Sequence, residues 1–187
     1  SILDLEERSN QPFRLESKVL VYNGELYNYL ELKQKLTTQH KRFLTESDTE
    51  VLLHVLHDLG WKGLTLCEGM WAFALYDEID GSLILSRDRF GEKPLYIYRD
   101  QTGLYFGSEV KFIFSLLSRR LDINHDHLYR YMINGYKSLY KGSETFFYGL
   151  EELPPASVLQ ICNSGDEGME TYWQPTFEQD KTLTYRD

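Results

Sequence analysis

Lys18-Val19-Leu20-Val21-Tyr22-Asn23-Gly24-Glu25-Leu26-Tyr27-Asn28 is the stretch on which the fold turns. Its first five residues form a short β-branched and aromatic run, the pattern of a buried strand, and Asn23-Gly24 is a turn signal that should end it. Asn28 is followed by Glu31, Leu32 and Leu36, the spacing of a capping box that opens a helix. Ser47 and Glu50 repeat that spacing ahead of Val51, Leu52, Val55, Leu56 and Leu59, and Gly60 supplies a C-cap. The pattern changes at Met70. Residues 70–76, 83–86, 95–98 and 104–106 are strand-like runs separated by Asp80-Gly81, Gly91 and Thr102-Gly103, which predicts an antiparallel meander. Residues 110–117 and 128–133 read as two more helices, the second closed by Asn134-Gly135, and residues 157–162 and 169–173 as further strands. Strands clustered in runs, with helices segregated from them, define an α+β fold.

With 187 residues and 42% hydrophobic content, the chain has enough apolar surface for one buried core. Twenty Lys+Arg against twenty-nine Asp+Glu leave a net charge of −9, which repels nucleic-acid phosphates and anionic lipid, so neither nucleic acid nor membrane is an expected partner. Cys67 and Cys162 are too few for a disulfide framework and point to free thiols in a cytoplasmic setting. The longest apolar run, residues 70–75, is too short to span a bilayer, and the opening residues lack a signal-peptide pattern. The aromatic residues Trp71, Phe73, Tyr96, Tyr98, Tyr105 and Phe106 are expected in a sheet core, not on a base-stacking platform. Residues 176–187 are polar and lose the pattern, as a linker does.

A polar pair directly after a strand allows two readings. The Asn23 amide and the Gly24 peptide N–H can point at one spot and form an oxyanion hole, or the pair can simply supply the backbone angles of a tight turn. Asp48, beside Ser47, complements a helix start in either case. His54 and His57 stand three apart without further ligands at zinc spacing, and His125 with His127 marks a helix start, so no metal site is expected. Arg87, Asp88, Lys93 and Glu109 fit an ion-pair network at a strand end. The two cysteines are internal and are expected to be buried.

Taken in order, "NQPF", "YNGELYNYLELK", "FLTESDTEVLLH", "GMWAFALYDE", "LSRDRFGEKPLYIYRD", "LYFGSEVKFI" and "ELPPAS" closely resemble the N-terminal class II glutamine amidotransferase domain of asparagine synthetases, over nearly the whole chain. The resemblance implies an N-terminal-nucleophile hydrolase sandwich, with α-β-β-α layers around two antiparallel sheets. It also implies hydrolysis of L-glutamine and delivery of ammonia to a second, ATP-using domain.

In that family the nucleophile is a cysteine at the mature N-terminus, ahead of the point matched by Ser1, and an Arg-Leu pair precedes the segment that begins here. The resemblance therefore implies an amidotransferase domain over residues 1–175 that lacks its N-terminal strands and is inactive alone. Residues 176–187 would be a linker towards an absent synthetase domain. Carried over by position, Asn23 and Gly24 form the oxyanion hole, Glu25 completes a substrate-binding trio, Asp48 receives the α-ammonium of glutamine, and Ser1, Ile2 and Leu3 line the pocket. This domain would need no cofactor. ATP and Mg would belong to the synthetase domain, with aspartate as acceptor and asparagine as product, and the whole could assemble as a homo-oligomer. The alternatives are an amidotransferase for a sugar, peptide or antibiotic precursor, or an inert structural relative.

Overall fold

A computed structural model describes residues 6–38, 41–135 and 142–177. In chain order its regular elements are β1 (Phe13–Leu15), β2 (Lys18–Leu26), α1 (Tyr29–Thr38), α2 (Asp48–Leu59), β3 (Gly69–Asp77), β4 (Leu83–Arg87), β5 (Tyr96–Asp100), β6 (Gly103–Gly107), α3 (Val110–Leu117), α4 (His125–Asn134), β7 (Leu150–Glu152), β8 (Ser157–Ile161) and β9 (Glu167–Thr171), with 3-10 segments at Glu7–Ser9 and Gly60–Leu66. Among the described residues these strands form a six-stranded sheet, in the order β1-β2-β3-β4-β8-β9, and a three-stranded sheet, in the order β6-β5-β7. Every pairing is antiparallel, so the α+β expectation holds.

Strand alternation sets the layers. On β3, Trp71, Phe73 and Leu75 face one way and join Leu20, Tyr22 and Leu26 of β2 in a core shared with α1 and α2. Ala72 and Ala74 face the other way, beside Leu159 of β8, where their small side chains let Ile97 of the second sheet and Leu153 just after β7 approach. The far side of that second sheet is covered by Ile113 of α3, against Tyr98 and Leu150. Helix α2 lies deepest, with every residue from Asp48 to Leu56 buried. Each fully buried leucine there contributes about 1.5–3 kcal/mol.

Four expectations need correction. The meander is divided: β3 and β4 pair in the large sheet, whereas β5 and β6 pair in the small one. The cause is the connection after β4, where the Asp88 carboxylate gathers the N–H groups of Phe90, Glu92 and Lys93 and Gly91 adopts φ +68°, turning the chain out of the first sheet. Strand β2 does not end at Asn23-Gly24 but continues to Leu26, paired with β3 throughout. Glycine is required there by close approach, since a Cβ on Gly24 would sit 2.2 Å from the Met70 carbonyl oxygen. Asn28 does not cap α1. Its side chain spans to the 3-10 segment, donating to the Leu66 carbonyl and accepting from the Glu68 N–H.

The fourth correction is that three-residue strands β1 and β7 carry too little pattern to be seen in sequence, and β9 begins two residues before the expected run. Other expectations match: α3 spans the predicted residues, Gly60 closes α2 at φ +60°, and Gly135 closes α4 at φ +68°. Ser1, Ile2 and Leu3, and the proposed linker beyond residue 177, lie outside the described residues.

Candidate functional site

The site is built on the edge of β2 that faces away from β3. The Tyr27 N–H donates to the Glu68 carbonyl on the β3 side, whereas the Leu26 and Tyr22 N–H groups donate in the opposite direction. Peptide groups alternate along a strand, so the Gly24 N–H, midway between Tyr22 and Leu26, points to that same outer edge. Gln11 covers the edge at Tyr22 by mimicking a strand. Its amide donates to the Tyr22 carbonyl at 2.7 Å and accepts from the Tyr22 N–H at 2.6 Å. Gln11 went unnoticed in the sequence because nothing in its neighbours shows that a side chain will stand in for a ladder rung.

Asp48 closes the other end of this edge. Ser47 caps α2 by accepting from the Thr49 N–H, which leaves the Asp48 side chain free to turn away from its own helix. It is 3% exposed, and its Oδ2 accepts from the Leu26 N–H at 3.0 Å and the Tyr22 hydroxyl at 3.2 Å. Burial, and then the Asp48 charge, push the Tyr22 phenol far above its usual pKa, so it stays a donor. Among the described residues Oδ1 has no hydrogen-bond partner and no cationic side chain pairs with the carboxylate. The helix N-terminus favours the negative charge by about 0.3–1 kcal/mol. Glu50 does not return to cap Ser47. It accepts from the N–H groups of Leu44 and Thr45 and from the Thr45 hydroxyl, fixing the approach to α2.

Asn23 and Glu25 sit on the opposite face of β2 from Tyr22, towards the second sheet. The Asn23 Nδ2 donates to Ser108 Oγ at 2.9 Å, just beyond β6. Glu25 is half-buried opposite Met70, with no ion pair or hydrogen bond to its carboxylate among the described residues. Strand β2 therefore carries a peptide N–H and a buried carboxylate at its outer edge, and a carboxamide and a second carboxylate on its face towards the second sheet. That set can hold a zwitterionic amino acid by its ammonium and polarise a carbonyl at the other end.

The remaining candidates have structural roles. Arg87, Asp88, Lys93 and Glu109 do not form the expected ion-pair network. Arg87 donates to the carbonyls of Lys93, Leu153 and Gly91 and pairs with Glu152 at 2.9 Å, Asp88 accepts only from backbone, and Glu109 pairs locally with Lys111. Buried carbonyls at the strand end needed donors, and Arg87 supplies them. Cys67 is buried, its thiol pushed up to about 12 by desolvation, so it cannot present a thiolate near neutral pH. Cys162 is exposed in the turn after β8, contrary to the expected burial, and both thiols are free. His54 is buried against Phe43, and His57 bonds Asp58 and Glu16. Among the described residues no group of three or more potential ligands is placed to hold a metal ion, and no helix is long and apolar enough to cross a membrane.

The family described as "Glutamine amidotransferase domain" matches residues 1–173. The chain is 36% identical over 165 residues to the putative glutamine-hydrolyzing asparagine synthetase 2 of Methanocaldococcus jannaschii, covering 76% of this chain and 32% of that protein. It is 32% identical over 184 residues to the glutamine-hydrolyzing asparagine synthetase 1 of Bacillus subtilis, covering 97% of this chain and 28% of that one. The chain thus spans about a third or less of the length of these relatives. Among solved structures it matches the glutamine phosphoribosylpyrophosphate amidotransferase of Bacillus subtilis with a TM-score of 0.62 at 25% identity, over 88% of this chain and 32% of that one. The four-layer architecture is that of the N-terminal-nucleophile amidotransferases, and the chain belongs to the glutamine amidotransferase domain family.

Proposed function

We propose that the chain binds L-glutamine at the β2 edge and releases its amide as ammonia for an ATP-dependent synthesis of asparagine from aspartate. The observation that supports this most is Asp48, a buried carboxylate with one oxygen lacking a partner and no countercharge among the described residues. An α-ammonium supplies both the missing donor and the missing charge. With that end anchored, the glutamine side chain runs along the strand edge towards the Gly24 N–H and the Asn23 carboxamide.

In this reading a cysteine thiolate attacks the side-chain carbonyl carbon, and the carbonyl oxygen takes up negative charge, which Gly24 and Asn23 stabilise by hydrogen bonds. The C–N bond breaks as the nitrogen is protonated, ammonia leaves, and water cleaves the thioester to glutamate. Neither Cys67, buried with its thiol pushed up, nor the exposed Cys162 is proposed as that cysteine. ATP and Mg act in a synthetase region supplied by the same polypeptide, in the cytoplasm where free thiols persist. The asparagine assignment rests on the names of relatives of which the chain spans about a third or less.

The product of the complete reading frame that encodes this chain should convert L-glutamine to glutamate and ammonia. Asn23→Ala should lower glutamine-dependent turnover by about 10²–10³, the usual cost of one oxyanion donor, while synthesis from free ammonia persists. If both activities fall together, Asn23 is structural and the reading fails.

A further inference from the structure

We propose that Ser108 is a positioning residue, whose hydroxyl orients the Asn23 carboxamide for the reacting carbonyl. The inference rests on the glutaminase reading above. Ser108 lies 85 positions from Asn23 in sequence and directly follows β6 of the other sheet, so their 2.9 Å hydrogen bond ties β2 to the chain leaving that sheet. Ser108 is held from both sides, directly after the last residue of β6 and directly before Glu109, the N-cap residue of α3. Two regular elements therefore fix where its oxygen sits.

Asn23 has no comparable restraint of its own. Its side chain is exposed on the face of β2 towards the second sheet, and Ser108 is its only hydrogen-bond partner among the described residues. The amide nitrogen carries two hydrogens in one plane, about 120° apart. When Ser108 Oγ accepts one, the amide plane is set and the second hydrogen keeps a single direction, available to an oxyanion. Without Ser108 the amide rotates through its broad terminal torsion, and donor alignment has to be recovered within each turnover. An acceptor oxygen at position 108 is thus the requirement, which threonine meets and alanine does not.

Because the oxyanion forms only in the transition state, the loss should appear in kcat and leave KM nearly unchanged. In the product of the complete reading frame, Ser108→Ala should lower glutaminase kcat about tenfold, roughly the worth of one orienting hydrogen bond. Ser108→Thr should restore it, and ammonia-dependent synthesis should be unaffected in both. In an Asn23→Ala background the same Ser108→Ala change should cost nothing further, because the group it positions is gone.

Equal losses from Ser108→Ala in both backgrounds, failure of threonine to rescue a variant of normal melting temperature, or a kcat unchanged by Ser108→Ala would each overturn the inference. If Asn23→Ala itself leaves glutamine hydrolysis intact, or the unmutated protein has none, the glutaminase reading fails and this one with it. A normal Ser108→Ala enzyme beside a crippled Asn23→Ala enzyme removes only Ser108.

Discussion

Asp48, the first residue of α2, and Asp88, just beyond the end of β4, are both buried aspartates packed against the same sheet, and they are treated in opposite ways. Asp88 is 0% exposed, and its two oxygens accept from the N–H groups of Trp71, Phe90, Glu92 and Lys93. Its own N–H donates to the Trp71 carbonyl, and its carbonyl accepts from the Ala156 N–H, so both its peptide groups and both carboxylate oxygens are used. Asp48, 3% exposed, spends one oxygen on Leu26 and Tyr22 and leaves the other without a partner among the described residues. A carboxylate whose hydrogen bonds are completed by its own backbone is holding a fold together. In the proposed function the open oxygen of Asp48 is left for a substrate ammonium.

The comparison breaks first at Asp88 if it is wrong. Asp88→Ala strands four backbone N–H groups around the loop that carries the chain between sheets, and it should cost about 3–5 kcal/mol. That corresponds to a fall in Tm of about 10 °C or more, read by thermal or urea unfolding. A change below about 1 kcal/mol would show that this loop keeps its shape without the carboxylate, and that full satisfaction is a poor sign of a structural role.

A third carboxylate, Asp77, sharpens the contrast from the solvent side, with a smaller effect. Lys18 at 2.6 Å, and next the Ile79 N–H, hold it at about 2 instead of the usual 3.8. The folded value lies below the unfolded one, so the stabilisation is complete above about pH 4 and is lost as pH falls towards 2. Screening at this partly exposed site limits it to about 1 kcal/mol. Stability curves of the wild type and Asp77→Asn should therefore converge between pH 4 and pH 2. Parallel curves across that range would remove the Lys18–Asp77 pair from the account.

The legibility of these features follows from how local their causes are. Helices α2, α3 and α4 are legible because their apolar spacing and the flanking Ser47, Gly60 and Gly135 are local to the elements they define, although α4 starts at His125, three residues before the apolar run. The separation of β5 and β6 from β3 and β4 was not, because it depends on Asp88 folding back on residues up to five positions ahead. Asn23-Gly24 looked like a turn for the same reason. Composition shows that the pair is permissive, but only the 2.2 Å approach of the Met70 carbonyl explains why the glycine sits within a strand. Likewise Asp48 could be placed at a helix start from sequence, whereas its turn away from that helix depends on β2, 22 residues earlier for Leu26 and 26 for Tyr22. Ser108 and Gln11 were invisible as site residues because each reaches the β2 edge only through the tertiary fold.

The most direct test of the central claim is Asp48→Asn, with glutaminase kcat/KM and Tm measured side by side on the product of the complete reading frame. Asparagine keeps an oxygen that can accept from the Leu26 N–H and the Tyr22 hydroxyl, and Ser47 still caps α2, so Tm should stay within a few degrees of the wild type. Loss of the charge proposed to pair with the substrate ammonium should cost roughly 2–5 kcal/mol of recognition, about 30-fold to several thousand-fold in kcat/KM for glutamine. A variant with normal stability and normal glutamine kinetics would contradict the account, because the incomplete hydrogen bonding of Asp48 would then be serving no substrate.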